Sequence, residues 1–301
     1  MDIAIMIEGQ NGLTWPRWQR LARAVEDLGF AGLYRSDHFT NANPPDIESL
    51  ELWVSLTWLA SNTKRIEFGP LVTPSSFRHP VFTARMGKDV DDLSGGRLIL
   101  GVGAGWQERE HTMFNFPLLD VGPRLDRFEE SLEVITGLLH SQEPVNFAGD
   151  YYTLRDAQLL PRAKRAGGPP LLIGGNGRRR TLPLVARYAD EWNSVFLTPA
   201  RYRELNRYLD ELLLAAGRAP GDVKRSLMTG LVFARTTAQL QELLDGGSVD
   251  EARARGMAVG TPSEIADVVG AYEEAGAYRI MLQWMDLDDF NGLEALAKAL
   301  L

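Results

Sequence analysis

Short apolar runs alternate with amphipathic stretches along the whole chain, and the alternation predicts strands and helices in turn. Asp2–Ile7 reads as a buried first strand and Trp15–Leu28 as the helix after it, stopped by Gly29. Gly32–Tyr34 is the second strand, followed by an unusually apolar helix over Leu50–Ala60. Ile66–Val72 and Arg97–Val102 are the third and fourth strands, with helices over Val81–Leu93 and Arg124–Leu139. The fifth and sixth strands are Leu171–Ile173 and Glu191–Val195, with helices reaching Tyr188 and spanning Pro199–Ala216. Ser226–Ala234 and Arg279–Trp284 complete the strands, and Pro262–Ala275 and Leu293–Leu301 the helices.

Eight strand–helix alternations require parallel pairing with crossover helices, and eight units close naturally into a (β/α)₈ TIM barrel. An open doubly wound sheet is the competing arrangement. No linker divides the chain, so residues 1–301 read as one domain. Two stretches break the alternation: 141–168, after the fourth strand, looks like a hairpin and loop, and 235–259, after the seventh, is polar and partly helical; both are expected at the face where barrel active sites form. Long insertions in compact domains are usually functional, so lid or pocket roles are expected of both. The tryptophans of Leu50–Ala60 suggest a face buried against a second copy, hence a homodimer.

Composition narrows the chemistry. The net charge of −8 gives no counterion-release energy on DNA or RNA, so a nucleic-acid partner is disfavoured. With no cysteine there is no disulfide, thiolate nucleophile or iron–sulfur cluster. The opening MDIAIMIEG lacks the basic segment of a secretory leader, and no apolar run approaches a membrane span. A cytoplasmic protein acting on a small molecule is the expectation.

Asp37–His38, just past the second strand, falls where barrel enzymes gather catalytic side chains. Histidine titrates near neutrality and can move a proton; Asp37 is placed to orient it or to touch a cofactor. The competing reading is a helix cap beside a surface histidine. Thr73, Ser75 and Ser76 give small polar groups at the end of the third strand, but read more readily as an ordinary loop. The fourth strand ends in GVGAGW, whose Gly103 and Gly105 let backbone approach a flat ligand and whose Trp106 offers a wall. It is not a dinucleotide fingerprint. After the fifth strand, Gly174, Gly175, Asn176, Gly177 and Arg178 form a glycine-rich helix entry suited to phosphate. Trp192 and Trp284 read as core more readily than as pocket walls. The four histidines show no metal-ligand spacing, so no metal is expected.

Together these motifs are familiar. SDHF, LVTPSSFRHP, SGGRLILGVGAGWQEREH, VGPRLDRFEESLEVI, LLIGGNGRRRTLPLVARYADEWN and GTPSEIADVVGAYEEAGAYRIMLQW occur in order over nearly the whole chain. The set resembles the bacterial luciferase-like family, and within it the probable F420-dependent oxidoreductases. The resemblance implies a barrel that binds the deazaflavin coenzyme F420 or FMN. It makes His38 the proton-handling residue, Asp37 a cofactor contact, and Gly174–Gly177 the phosphate loop. It also implies a non-proline cis peptide at Leu71–Val72, behind the ring. One departure stands out: Trp106 occupies the position of a glutamate in some F420-dependent dehydrogenases, and Glu108 is poorly placed to replace it. The functional expectation is hydride transfer with F420. The alternatives are an FMN-dependent monooxygenase and a flavin-binding protein without turnover.

Overall fold

A computed structural model describes residues 1–301. Its elements in chain order are β1 (Asp2–Ile7), α1 (Trp15–Asp27), β2 (Gly32–Arg35), α2 (Leu52–Asn62), β3 (Glu67–Pro70), β4 (Thr73–Pro74), α3 (Pro80–Ser94) and β5 (Leu100–Gly103). Then come α4 (Glu108–Met113), α5 (Val121–His140), β6 (Val145–Ala148), β7 (Thr153–Ala157), β8 (Leu171–Gly174), α6 (Thr181–Tyr188), β9 (Glu191–Val195) and α7 (Pro199–Ala215). The chain ends with β10 (Lys224–Phe233), α8 (Thr237–Leu244), α9 (Val249–Ala254), β11 (Ala258–Gly260), α10 (Pro262–Glu274), β12 (Arg279–Gln283) and α11 (Phe290–Leu300).

Nine strands pair in parallel in the order β3, β2, β1, β12, β10, β9, β8, β5, β4. β3 and β4 are halves of one stave, separated at Leu71–Val72, so the ring has eight staves. A parallel bridge between Phe68 and Leu98 brings the two edges together, with the Ile99 N–H donating to the Phe68 carbonyl at 2.9 Å. Glycine makes that seam possible. A Cβ on Gly69 would lie 2.0 Å from the Ile99 carbonyl oxygen, and one on Gly101 2.1 Å from that of Pro70. The result is a nearly closed barrel rather than an open sheet.

The helices begin and end where local chemistry dictates. α10 starts on a capping box, the Glu264 carboxylate accepting the Thr261 N–H and hydroxyl at 2.8 and 2.7 Å. α3 stops at Gly95, whose φ of 73° places it in the left-handed region. The main apolar core lies between strands and helices. A second cluster fills the barrel: Ala4, Met6, Tyr34, Leu71, Ile99, Leu172, Met228 and Met281. It floors whatever sits at the carboxyl ends of the strands.

Neither insertion lines the main cavity. β6 and β7 form the expected hairpin, but it packs on α5 and contributes nothing to the main cavity. Its tip is held by the Glu130 carboxylate, which accepts the N–H groups of Asp150, Tyr151 and Tyr152 at 2.7–3.1 Å. The reason is directional: the hairpin follows a helix that has already run back from the active face, not a strand arriving at it. The second insertion holds α8, α9 and β11, which pairs with the outer half of β10. It too lines none of the cavity, although it packs behind Phe196, which does: a Cβ on Gly256 would lie 2.6 Å from the Phe196 carbonyl carbon. On α2, Leu52, Trp53, Leu56, Leu59 and Ala60 are buried within their own chain. Among the large apolar side chains, α2 and α3 leave Val54, Phe82 and Leu93 outside, 56%, 61% and 52% exposed. No helix is long and apolar enough to cross a membrane.

Candidate active site

The carboxyl ends of the staves surround a cavity of about 440 Å³. Met6, Leu71 and Met228 rise into it from the barrel filling, and Val72, Val195, Phe196 and Trp106 make its walls. The Leu71–Val72 peptide is cis and forms part of the lining. Opposite side-chain walls, part of the rim is backbone alone: Gly103 and Gly105 from β5, Gly174 and Gly175 from β8. A Cβ on Gly103 would lie 2.6 Å from Val72 Cγ2, so a side chain there would press the cis segment into the cavity.

His38 reaches the cavity from the end of β2. Its Nδ1 lies 2.8 Å from Glu110 Oε1, and Glu110 Oε2 accepts the Phe39 N–H at 2.9 Å. Glu110 is 1% exposed, so its carboxylate has exchanged water for these two donors. The pair fixes the ring: Nδ1 carries the hydrogen toward Glu110, and Nε2 has no protein partner. Burial disfavours the imidazolium, but the hydrogen bond and charge of Glu110, aided by Glu8 and Asp37, outweigh it and raise the His38 pKa above its ordinary value. The Trp106 ring meets His38 edge-on at 5.6 Å.

Glu110 belongs to α4, a six-residue helix after the GVGAGW turn. Sequence reasoning passed over it. Glu108, the acid considered from the sequence, is exposed, whereas Glu110 turns inward. His111 also lines the cavity, locked between the Gln107 carbonyl and Ser76 Oγ at 2.6 and 2.7 Å. A Glu-His pair one turn beyond a glycine-rich strand end was the available signal.

Sequence reasoning also missed a polar chain on the other side. Glu8 Oε1 accepts Gln283 Nε2 at 2.6 Å and its Oε2 accepts Gln10 Nε2 at 3.1 Å. Gln10 Oε1 accepts the Ser36 hydroxyl at 2.8 Å, and Ser36 Oγ accepts the Gly9 N–H at 2.9 Å. Beneath, Arg35 is wholly buried and bonded to the Leu50 carbonyl and Ser55 Oγ, both at 2.7 Å. Burial pushes its pKa down to about 10.

Of the residues singled out from sequence, the cavity gathers His38, Leu71, Val72, Gly103, Gly105, Trp106, Gly174 and Gly175. Asp37 and Thr73 lie behind it: Asp37 Oδ2 accepts the Thr73 hydroxyl at 2.7 Å and pairs with Arg78. Asn176 spends its amide on β9, donating to the Val195 carbonyl at 2.7 Å and accepting the Val195 N–H at 3.0 Å. Arg178 turns outward, 2.8 Å from Glu204 and stacked 4.1 Å over the Tyr208 ring. Gly177 is exposed. The loop nonetheless keeps an anion-binding character, because no protein acceptor takes the N–H groups of Asn176, Gly177 and Arg178.

The chain is similar to known oxidoreductases in sequence and in fold. A curated relative, 4-hydroxyprotoasukamycin monooxygenase of Streptomyces nodosus subsp. asukaensis, is 35% identical over 54% of the chain, which spans 42% of that protein. An F420-dependent glucose-6-phosphate dehydrogenase of Kineococcus radiotolerans is 27% identical over 84% of the chain and 82% of its own length. Among solved structures, an F420-dependent secondary alcohol dehydrogenase superposes with a TM-score of 0.86 at 20% identity, covering 99% of this chain and 98% of that one. A monooxygenase from Streptomyces bottropensis superposes at 0.82 and 19% identity, covering 100% and 98%. The family model for luciferase-like monooxygenases matches residues 1–250, and the chain belongs to that family.

Proposed function

We propose that this oxidoreductase uses coenzyme F420 to transfer a hydride to or from a small organic substrate. The observation that carries the reading is His38, with Glu110 on Nδ1 and Nε2 unpartnered, at a cavity backed by Leu71 and Val72. The lining fits a flat ring system with an anionic tail. Leu71, Val72, Met6 and Met228 give an apolar bed. Gly103, Gly105, Gly174 and Gly175 leave room at the rim, and Asn176–Arg178, next along the chain, keep open N–H groups. When bound, the deazaflavin supplies the hydride chemistry.

The chain supplies positioning and a proton. Neutral His38, with its hydrogen held at Nδ1 by Glu110, accepts a proton at Nε2; the charged ring donates one there. The carboxylate stabilises the charged form and keeps the ring from turning. The barrel filling below excludes water from the floor. The relative that is alike over most of its length is named for F420, which favours that coenzyme. The shorter, more identical match to a monooxygenase keeps FMN as the alternative.

Side-by-side titration with F420 and FMN, followed by fluorescence, tests the reading. Micromolar binding of F420 with much weaker FMN binding is expected. Micromolar FMN binding without F420 binding would replace this reading with the monooxygenase one.

A further inference from the structure

The cavity mouth has a charge polarity. Around the ring of staves, β1 and β12 are neighbours, and β5 and β8 are neighbours half a turn away. Glu8 and Gln283 stand at the ends of β1 and β12, facing the glycine rim of β5 and β8 across the cavity. On the glycine side, Arg124 is held only by carbonyls, those of Gly105 and Leu119 at 3.0 and 2.9 Å. On the far side no lysine or arginine lines the cavity. The nearby cations are committed elsewhere: Arg35 to Leu50 and Ser55, Arg78 to Asp37 and Glu51, Arg109 to Asp46.

We propose that Glu8, braced by Gln283 and Gln10, determines substrate class: the site takes neutral, largely apolar molecules that donate a hydrogen bond, and rejects carboxylates and phosphates. The proposal rests on the F420 reading only for placing the cofactor on the glycine side. A carboxylate has about four acceptor directions, and Glu8 uses two on its glutamines. The others are available to a donor in the cavity. An anion in the same place meets a like charge with no lysine or arginine to offset it, and the one cavity group that can turn cationic beside it, His38, is already paired with Glu110. Met6, Met228 and the half-exposed Phe196 flank the position, so the rest of the ligand meets apolar surface.

The test uses 2-naphthamide and 2-naphthoate, which match in shape and differ in charge. Dissociation constants are measured by calorimetry on protein saturated with whichever of F420 or FMN binds, and on the protein alone if neither does. Failure of the cofactor reading is thereby separated from failure of this one. The amide is expected to bind at least about tenfold more tightly than the carboxylate. Glu8→Gln, which keeps the shape and removes the charge, is expected to tighten naphthoate by about tenfold and to weaken the amide by about three- to fivefold, because the amide's donor loses a charged acceptor. Gln283→Lys, which sets an ammonium beside Glu8, is expected to move naphthoate the same way. Equal affinities in the unaltered protein, no binding of the amide, or naphthoate affinity unchanged in both folded variants overturns the proposal.

Discussion

Arg279, at the amino ends of the strands, is 1% exposed and meets Tyr34 Oη at 2.6 Å, Asp2 at 3.3 Å, Glu191 at 3.4 Å, and Glu67. His38, at the carboxyl ends, meets one carboxylate and leaves its second nitrogen open. Burial works against the charge of Arg279, but its anionic neighbours outweigh it and hold its pKa above the ordinary value. Burial likewise raises the pKa values of Tyr34 and Glu191. The lower end is a buried ion cluster paired within the chain, with only Glu191 Oε1 and Arg279 Nε left without a hydrogen-bond partner. The upper end is built from groups that are half answered: His38 Nε2, two directions on Glu8, the loop N–H groups after β8. One barrel thus places stability at one rim and ligand capacity at the other.

The contrast can be broken from either side. The largest effect is expected at the lower rim. Arg279→Met strands the buried Glu191 carboxylate and is expected to cost about 3–5 kcal/mol in urea unfolding, with F420 affinity of the folded protein unchanged. A cost under about 1 kcal/mol would show that the cluster is not the anchor described here. At the upper rim, Gly103→Ala drives a methyl against Val72 and is expected to weaken F420 by about tenfold, or ~1.4 kcal/mol, with little loss of stability. Unchanged affinity would place the ring elsewhere.

Glu110→Gln sharpens the comparison within the upper rim. Removing the charge lowers the His38 pKa, read by NMR titration of the imidazole. Because the folded pKa is raised, protonated His38 adds stability that is fully present below its unfolded value of about 6.5 and fades as pH rises through the folded value. The stability deficit of Glu110→Gln should therefore be larger at acidic pH and shrink toward alkaline pH; the opposite trend would contradict the pairing. The smallest effect is expected at Arg178. Its pair with Glu204 is exposed, so Arg178→Ala should change stability by no more than about 0.5 kcal/mol and F420 affinity by less than about twofold. A larger loss of affinity would return Arg178 to the phosphate site.

Periodicity made the staves legible, since apolar runs bounded by glycine leave few other readings. Strand ends followed from it, which is why His38, Gly103 and Gly174 fell at the cavity. The direction of each side chain past a strand end did not follow. Asp37 and Thr73 turn to Arg78, and Asn176 to β9, because loop conformation rather than strand alternation aims them. Glu110 was hidden for a related reason. It sits on a helix of six residues, too short for a periodic signal, and its partner is 72 positions away. The Glu8–Gln283 contact spans 275 positions, a closure of the first stave on the last that no local pattern records. The hairpin was recognised as a hairpin but expected at the wrong place, because a segment that follows a helix begins at the opposite end from one that follows a strand.

The central claim is that His38 presents Nε2 to the bound cofactor while Glu110 holds Nδ1. The chain has four histidines, so nitrogen NMR of histidine-labelled protein can follow each ring. The free protein should show His38 with its hydrogen on Nδ1 and a pKa above the ordinary value. Adding F420 should shift the His38 Nε2 signal and leave His79 and His140 unmoved. F420 binding that leaves the His38 signals where they were, or a His38 ring with its hydrogen on Nε2 throughout, would contradict the account.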